Sequence, residues 1–360
     1  MIAPGSVNAA TVETGYQVGA AQKLPWFGKR AARGAAAQAD AAAMFHDVRD
    51  ARLQISQTTR AAFFEYYLIA RQLEINRDNL ELTRDFRETA QTKYENNQVT
   101  QQDVLQADVE YASTERRLLE LDRMRRIAVA RVNTLLRRNP DAWLPPPPAK
   151  LEESLSLPPA DVLRQIAVSQ RPDLAALRAR VQAEQAAVAL AEKQFYPDME
   201  VYGRYDTFWQ PSSTQGPLRG QVGVNVNMPI YRQKLNAALC EAQFRLSQRQ
   251  AEYAQKMVDV QYEVESAHAQ LQEGQKAIAL YREKLLPAAE QTVTTARNNY
   301  DVASTTFLNV LVAQQQLLMQ REQYEQIVAA AESRRADLER AIGGDLPQTG
   351  VPEELPRPDR

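Results

Sequence analysis

The sequence predicts a mainly α-helical chain with a few β-strands, folded as two copies of one unit built on long antiparallel helical hairpins. Three observations predict it. One helix-forming run is longer than a globular domain needs, short stretches of period-two alternation sit between such runs, and a set of residues recurs at nearly constant spacing.

The first element is a strand. Val12, Thr14, Tyr16, Val18 and Ala20 alternate with Glu13, Gly15, Gln17, Gly19 and Ala21, so residues 12–24 read as extended. From Arg30 to Asn139 the chain is rich in Ala, Gln, Glu, Arg and Leu, has no proline, and has Gly34 as its single glycine. Those are helix formers. Phe63, Tyr66, Tyr67, Ala70, Leu73, Asn76 and Leu80 step by threes and fours, which gives an apolar stripe on a polar rod that must pack on neighbours. A helix over 31–94 would be roughly 90 to 95 Å long.

Asn96, Asn97, Gln98, Val99 and Thr100 then break the periodicity, and asparagine tolerates the left-handed conformation that ends a helix. A hairpin tip is expected there. Thr100 can cap the returning helix with Asp103 in the capping-box position, and that helix runs over 101–138 through Leu105, Val109, Leu118, Leu121 and Val132. Residues 1–140 make the first repeat. A linker over 141–160 follows, with four consecutive prolines, Pro145 to Pro148, that demand an extended backbone.

The second repeat is expected over 161–344. Its helix over 161–195 is broken at Arg171-Pro172, because proline disfavours helix in the residue before it. Two alternating stretches over 198–208 and 220–228 read as strands, joined by a loop from Pro211 to Gly216. A helix over 232–300 follows, broken at Pro287. A turn from Val302 to Thr306, made of Val302, Ala303, Ser304, Thr305 and Thr306, leads to a helix over 307–342. Gly343-Gly344 ends it, and 345–360 is expected to be a disordered tail.

Both Gln17 to Gln221 and Pro25 to Pro229 are shifts of 204, and each match lies at a strand-to-helix junction. Tyr94, Thr100, Val104, Leu105 and Ala107 correspond to Tyr300, Thr306, Val310, Leu311 and Ala313 at a shift of 206. Two copies of one unit is the economical reading. The second copy has two strands before its long helix and the first has one, so a further strand is expected to precede Met1.

Composition narrows the function. With 360 residues, 44% hydrophobic and 24% charged, the chain can bury a core, and a net charge of -2 lacks the pull that nucleic-acid binding needs. The single cysteine, Cys240, allows no internal disulfide and reads as a small apolar residue, and two histidines far apart make no zinc cluster. No metal, cofactor or catalytic site is expected: there is no glycine-rich phosphate loop and no Gly-x-Ser-x-Gly. No window reaches the ~20 apolar residues of a spanning helix, whereas a membrane β-barrel leaves only weak alternation. The first residues, Met1-Ile2-Ala3-Pro4-Gly5-Ser6, lack the pattern of a secretory signal.

Four segments carry a resemblance: Gln22 to Arg30 (QKLPWFGKR), Tyr94 to Ala107, Arg171 to Pro197, and Tyr300 to Ala313. Together they resemble the outer-membrane efflux protein family, the TolC-like exit ducts of tripartite pumps. Gly28-Lys29-Arg30 is also similar to the metal-efflux branch. The resemblance implies a homotrimer whose strands share one outer-membrane β-barrel and whose hairpins form a periplasmic α-barrel, with a periplasmic adaptor and an inner-membrane pump as partners.

It also implies roles for residues. The tips at Asn96–Thr100 and Ala303–Thr306 would meet the adaptor. The family's gate of an acid, a tyrosine and an arginine is matched by Asp103, Tyr300 and, in place of the arginine, Thr305. Asn309 and Val312 stand where acids ring the entrance, so the cation-attracting charge would fall to Asp103 or Asp108 and cation block would be weak. Asp103 has a second reading as a helix cap and Tyr300 one as a packing residue. In the barrel, Val222, Val224, Val226 and Met228 would face lipid, with Gln221, Asn225 and Asn227 toward the lumen.

A periplasmic coiled-coil adaptor or scaffold is the rival function, since such proteins also use long Ala/Gln-rich hairpins. Clean alternating strands placed between the long helices favour the duct.

Overall fold

The computed structural model describes residues 15–151, 157–208, 219–302 and 304–347. In chain order these are β1 (Gly15–Leu24), α1 (Lys29–Glu95), α2 (Gln101–Leu135), α3 (Ala160–Gln170), α4 (Pro172–Lys193), β2 (Asp198–Phe208), β3 (Arg219–Asn227), α5 (Arg232–Leu280), a π-helical turn (Tyr281–Leu285), α6 (Leu286–Asp301) and α7 (Phe307–Ile342). Residues 12–14, Ala303, the loop from Pro211 to Gly216 and positions 348–360 of the expected tail lie outside the described residues.

The chain divides into two units, Met1–His46 with Ala175–Gln255, and Asp47–Leu174 with Lys256–Arg360. The first holds the sheet, ordered β1-β2-β3 with both pairings antiparallel. Beside it the end of α4 runs antiparallel to the start of α5, with Arg178 donating to the Tyr253 hydroxyl at 3.0 Å and Arg249 near Glu184 at 3.9 Å.

The second unit is helical. The α1–α2 hairpin closes over an apolar core in which Ala62, Tyr66, Ile69 and Leu73 meet Leu121, Ala128 and Val132. The single stripe expected on α1 is therefore two. A second row, Tyr67, Asn76 and Asn79, is buried against α7 and is polar. From Gln57 to Asn79 the partners run back along α7 from the Asp337–Glu339 turn to Gln314: Gln57 to Asp337 at 2.6 Å, Arg60 to Glu339, Tyr67 to Glu325 at 3.1 Å, Asn76 to Glu322, and Gln314 to Asn79 at 3.4 Å. Arg71 adds its charge to Glu325 at 3.4 Å. A helix that buries two faces shows little one-sided periodicity, which is why the sequence revealed only part of it.

Helix ends follow local chemistry. α2 stops at Leu135 rather than 138 because Arg137 takes the left-handed conformation at φ 55°, and the Arg138 N–H returns to the Asn133 carbonyl at 2.8 Å. The linker is tied down by Asn133, which donates to Ala142 O at 2.7 Å, and by the Tyr66 hydroxyl on Pro145 O at 3.2 Å.

The break between α3 and α4 falls at Arg171, extended at φ -63° and ψ 123°, as its proline neighbour requires. α4 then ends at Lys193, short of the expected 195. The break expected at Pro287 is absent. The π-helical turn Tyr281–Leu285 widens the backbone where the proline ring would crowd the carbonyl of Glu283, and Pro287 sits in the first turn of α6.

Arg171 is also a buried node. Its guanidinium grips Asp173 through two bonds of 2.9 and 2.6 Å, pairs with Glu263, and donates to the Ala341 carbonyl at 3.2 Å. Gly343 completes the site: at φ 86° it ends α7, and a Cβ there would lie 3.0 Å from the Arg171 Cα. Burial pushes the Asp173 carboxyl up, but hydrogen bonds and charge from Arg171 and Lys256 overcome it and hold the group below the ordinary carboxylate range.

Two outcomes follow. A depressed folded value means that Asp173 contributes stability above its unfolded pKa of about 3.9, lost as pH falls through the lower folded value. Asp173→Asn should therefore destabilise near neutrality and flatten the acid limb below about pH 4 in thermal melts. In the α1–α7 seam, burial and the Glu325 charge raise the Tyr67 hydroxyl to about 12, so it remains a donor. Tyr67→Phe should cost about 1 to 2 kcal/mol in urea unfolding, with little change if the bond adds nothing net.

Candidate functional site

The sheet has two chemically distinct faces. Register places Val222, Val224 and Val226 opposite Gly203, Val201 and Met199, and these opposite Ala20, Gln22 and Leu24, with Val18 beside Tyr205. Apart from Gln22 these positions are apolar or aromatic, and the face is uncovered: Val222 is 85% exposed, Val18 69% and Val224 58%. Met228 is exposed as well but lies one residue beyond the end of β3. The other face carries Lys23, Glu200 and Asn225 in one row and Arg204 and Gln221 in another, with Asn227 on the same side. Gly223 belongs to the polar face, where the Tyr202 ring lies over it; a Cβ there would be 2.5 Å from the hydroxyl oxygen.

Sheet and helices are joined by a buried ion pair. Lys29, in the first turn of α1, is 1% exposed, and its ammonium donates to Asp198 at 2.7 Å and to the Tyr196 carbonyl at 2.9 Å. The Trp26 N–H donates to the same Asp198 oxygen at 2.9 Å, and the Trp26 ring stacks on Tyr196 with centroids 5.5 Å apart. With its charge met twice and its acceptor shared, this lysine fixes where the strand becomes helix.

The tips repeat one geometry. Asn97 stands in the left-handed region at φ 57°, and the Gln98 N–H reaches back to the Lys93 carbonyl at 2.9 Å. The Ser304 N–H makes the same bond to the Asn299 carbonyl at 2.8 Å. Both donors and acceptors are 206 apart (304 minus 98, 299 minus 93). The following caps agree as well, with Thr100 at φ -84°, ψ 158° and Thr306 at φ -83°, ψ 156°. Local geometry thus shows the duplication that the residue matches predicted.

Where the copies differ, side chains take different partners. The Asp103 carboxylate accepts from the Thr100 N–H and hydroxyl, both at 3.1 Å. Its counterpart Asn309 donates to the Thr305 hydroxyl at 2.8 Å, so these two second-copy positions meet. The Tyr300 ring packs 5.9 Å from Phe307 in a cluster with Phe86, Ala90, Val104, Ala107 and Leu311, drawn from α1, α2, α6 and α7.

The Lys93 ammonium stands 3.9 Å from the Tyr300 ring centroid, a cation–π contact from one hairpin to the other. Asp108 pairs with Arg87 at 2.5 Å and Glu110 accepts from Gln315 at 2.8 Å, so the acids of α2 near the tip are engaged within the chain. Of Asn96, Val99 and Thr306, Asn96 donates to Thr92 O at 2.8 Å, and all three belong to turn or cap positions.

Sequence reasoning did not find Lys93 or the roles of Lys29 and Asp198. A lysine in the last turn of a helix reads as a dipole partner, and Lys29 lies within a recognisable junction segment, but nothing local tells that its acceptor is 169 residues away. Among the described residues no His, Cys, Asp and Glu group could hold a metal, and no helix is long and apolar enough to cross a membrane.

Comparison with known proteins bears on this arrangement. A model of the outer membrane efflux protein family matches residues 163–344. The cobalt-zinc-cadmium resistance protein CzcC of Cupriavidus metallidurans is 24% identical over 192 residues, which is 53% of this chain and 44% of that protein, so the match spans less than half of that relative's length.

Among solved structures, the outer-membrane channel OprN superposes with a TM-score of 0.80 at 20% identity, covering 91% of this chain and 74% of that one. CusC does so with 0.80 at 20% identity over 92% and 77%, and VceC of Vibrio cholerae with 0.76 at 23% over 92% and 87%. The fold is thus that of these channels, long hairpins with strands between them, and not that of an adaptor. By its sequence match and its fold, the chain belongs to the outer membrane efflux protein family.

Proposed function

We propose that the chain is one protomer of a homotrimeric efflux duct in the outer membrane. Its sheet is embedded in lipid and its hairpins stand in the periplasm. The sheet carries this reading. A three-stranded sheet with one apolar face uncovered, and with edges on β1 and β3 that no strand among the described residues pairs, is stable in a bilayer only when other strands close it into a barrel. Copies of the same chain supply them. The apolar face then meets lipid, and the face with Lys23, Glu200, Arg204 and Asn225 lines a wet path.

The tips around Asn97 and Ser304 form the periplasmic entrance and meet the hairpins of an adaptor that links the duct to an inner-membrane pump. Movement through the duct is passive and cargo is chosen by the pump. Similarity to a cobalt-zinc-cadmium resistance protein favours metal cations as that cargo. Asp103, Tyr300, Thr305 and Asn309 surround the gate. Threonine cannot replace an arginine's salt bridge, so the Lys93–Tyr300 contact and the Arg87–Asp108 pair hold the tips instead. With Asn309 bound to Thr305 and Asp108 neutralised, block by divalent cations is weak.

Single-channel recording in a planar bilayer tests the duct: discrete steps are expected, and a silent bilayer from well-folded protein would return the adaptor or scaffold reading. Spin labels test the sheet. A label at Val224 should be relaxed by oxygen from the lipid and one at Asn225 by a water-soluble reagent, and the reverse pattern would sink the assignment. Asp103→Ala should raise the closed-state conductance; an unchanged value would leave Asp103 as a helix cap only.

A further inference from the structure

We propose that the junction where strands give way to helices is a collar that binds anionic lipid headgroups of the adjoining leaflet. This rests on the reading of the sheet as membrane-embedded. β1 ends, β2 begins and β3 ends at the same edge, since Leu24 pairs with Met199 and Asp198 with Asn227.

Just past that edge, large apolar side chains stand in solvent: Phe27 at 81% exposure, Tyr231 at 75% and Ile230 at 72%. Trp26 and Tyr196 stack beside them. Amphipathic rings belong at the level of the headgroups, where one end is apolar and the other wet.

The next residues outward are basic. Arg30 in the first turn of α1 and Arg232 and Lys234 in that of α5 are exposed, and among the described residues none has a carboxylate within ion-pair distance. Some exposed arginines elsewhere on the helices are paired within the chain, Arg84 with Glu88, Arg126 with Asp122 and Arg245 with Glu241, whereas others, such as Arg49 and Arg116, are exposed as those of the collar are. The acid at the junction, Asp198, is taken by Lys29 and the Trp26 N–H, so it does not neutralise the collar.

The order along the molecule is therefore apolar face, aromatic ring, unneutralised cations. It matches hydrocarbon, interface and phosphate in a bilayer leaflet. The starts of α1 and α5 add the positive ends of their dipoles to the same level. A basic residue near a membrane surface strengthens binding to anionic lipid by about fivefold, and the gain is screened by salt.

Flotation of the purified protein tests this, using vesicles of phosphatidylcholine alone and vesicles in which about a third of the lipid is phosphatidylglycerol. The wild type should favour the anionic vesicles by about a hundredfold at low salt and lose that preference as salt rises. The variant R30Q/R232Q/K234Q should bind both alike, with circular dichroism showing its helix content intact. R245Q, which removes a paired arginine away from the collar, should keep the preference, and F27A/Y231A should weaken binding to both vesicle types equally. Equal wild-type binding to both, or a preference that survives in the triple variant, would overturn the collar while leaving the membrane reading in place. Binding to neither would remove the membrane reading and the collar with it.

Discussion

The helical unit depends on one seam, the antiparallel contact of α1 with α7. It is built from polar groups. Gln57, Arg60, Tyr67, Arg71 and Asn76 meet Asp337, Glu339, Glu325 and Glu322, with Glu325 9% exposed and Glu339 7%. Each bond adds only about 1 kcal/mol net, but a slip of one helical turn would strand buried carboxylates without partners, at greater cost. Apolar packing between α1 and α2 supplies cohesion, and the polar seam supplies register. Because register is fixed along α1 and α7, Phe86 arrives beside Phe307 and Tyr300 beneath Lys93, and the two tips end side by side.

In the unit with the sheet, the corresponding constraint is the Lys29–Asp198 pair. β1 and β2 are far apart in the chain, so no tight turn sets their register, and a shift of one residue would exchange the two faces. A buried ammonium tied to the first residue of β2 and to the Tyr196 carbonyl fixes the register at one end. The separation of apolar from polar side chains across all three strands is set from there. An uncovered apolar face is a liability in water and an asset in a bilayer, which ties the register directly to the proposed role.

The two copies share backbone geometry at their tips and differ in chemistry there. Asp103 turns its carboxylate back onto Thr100, whereas Asn309 turns to Thr305. Divergence is also visible in the long helices. The second copy gains two residues between the junction register of 204 and the tip register of 206, and it contains the π-helical turn in that interval. An added residue rotates the buried stripe by about 100°, and a wider turn absorbs part of that rotation without ending the helix.

The sequence by itself determined the elements. The lack of proline over 30–139, the left-handed tolerance of Asn97, the Thr100–Asp103 cap, the break before Pro172 and the glycine end at Gly343 are all local, and each backbone feature lies where local chemistry puts it. Alternation likewise assigned Val222, Val224 and Val226 to one face of a strand, because side-chain period is a property of the strand alone.

Tertiary structure decided what depends on partners distant in the chain. It gave α1 a second, polar buried face, since Asn76 and Asn79 read as surface residues until α7 is laid against them. It carried a helix past Pro287 by widening the turn before it. It placed Lys29 on Asp198 and Lys93 on Tyr300, contacts that no local pattern encodes. Propensity and period act over a few residues, but the pairing of charges and rings is set only when helices from the two copies come together.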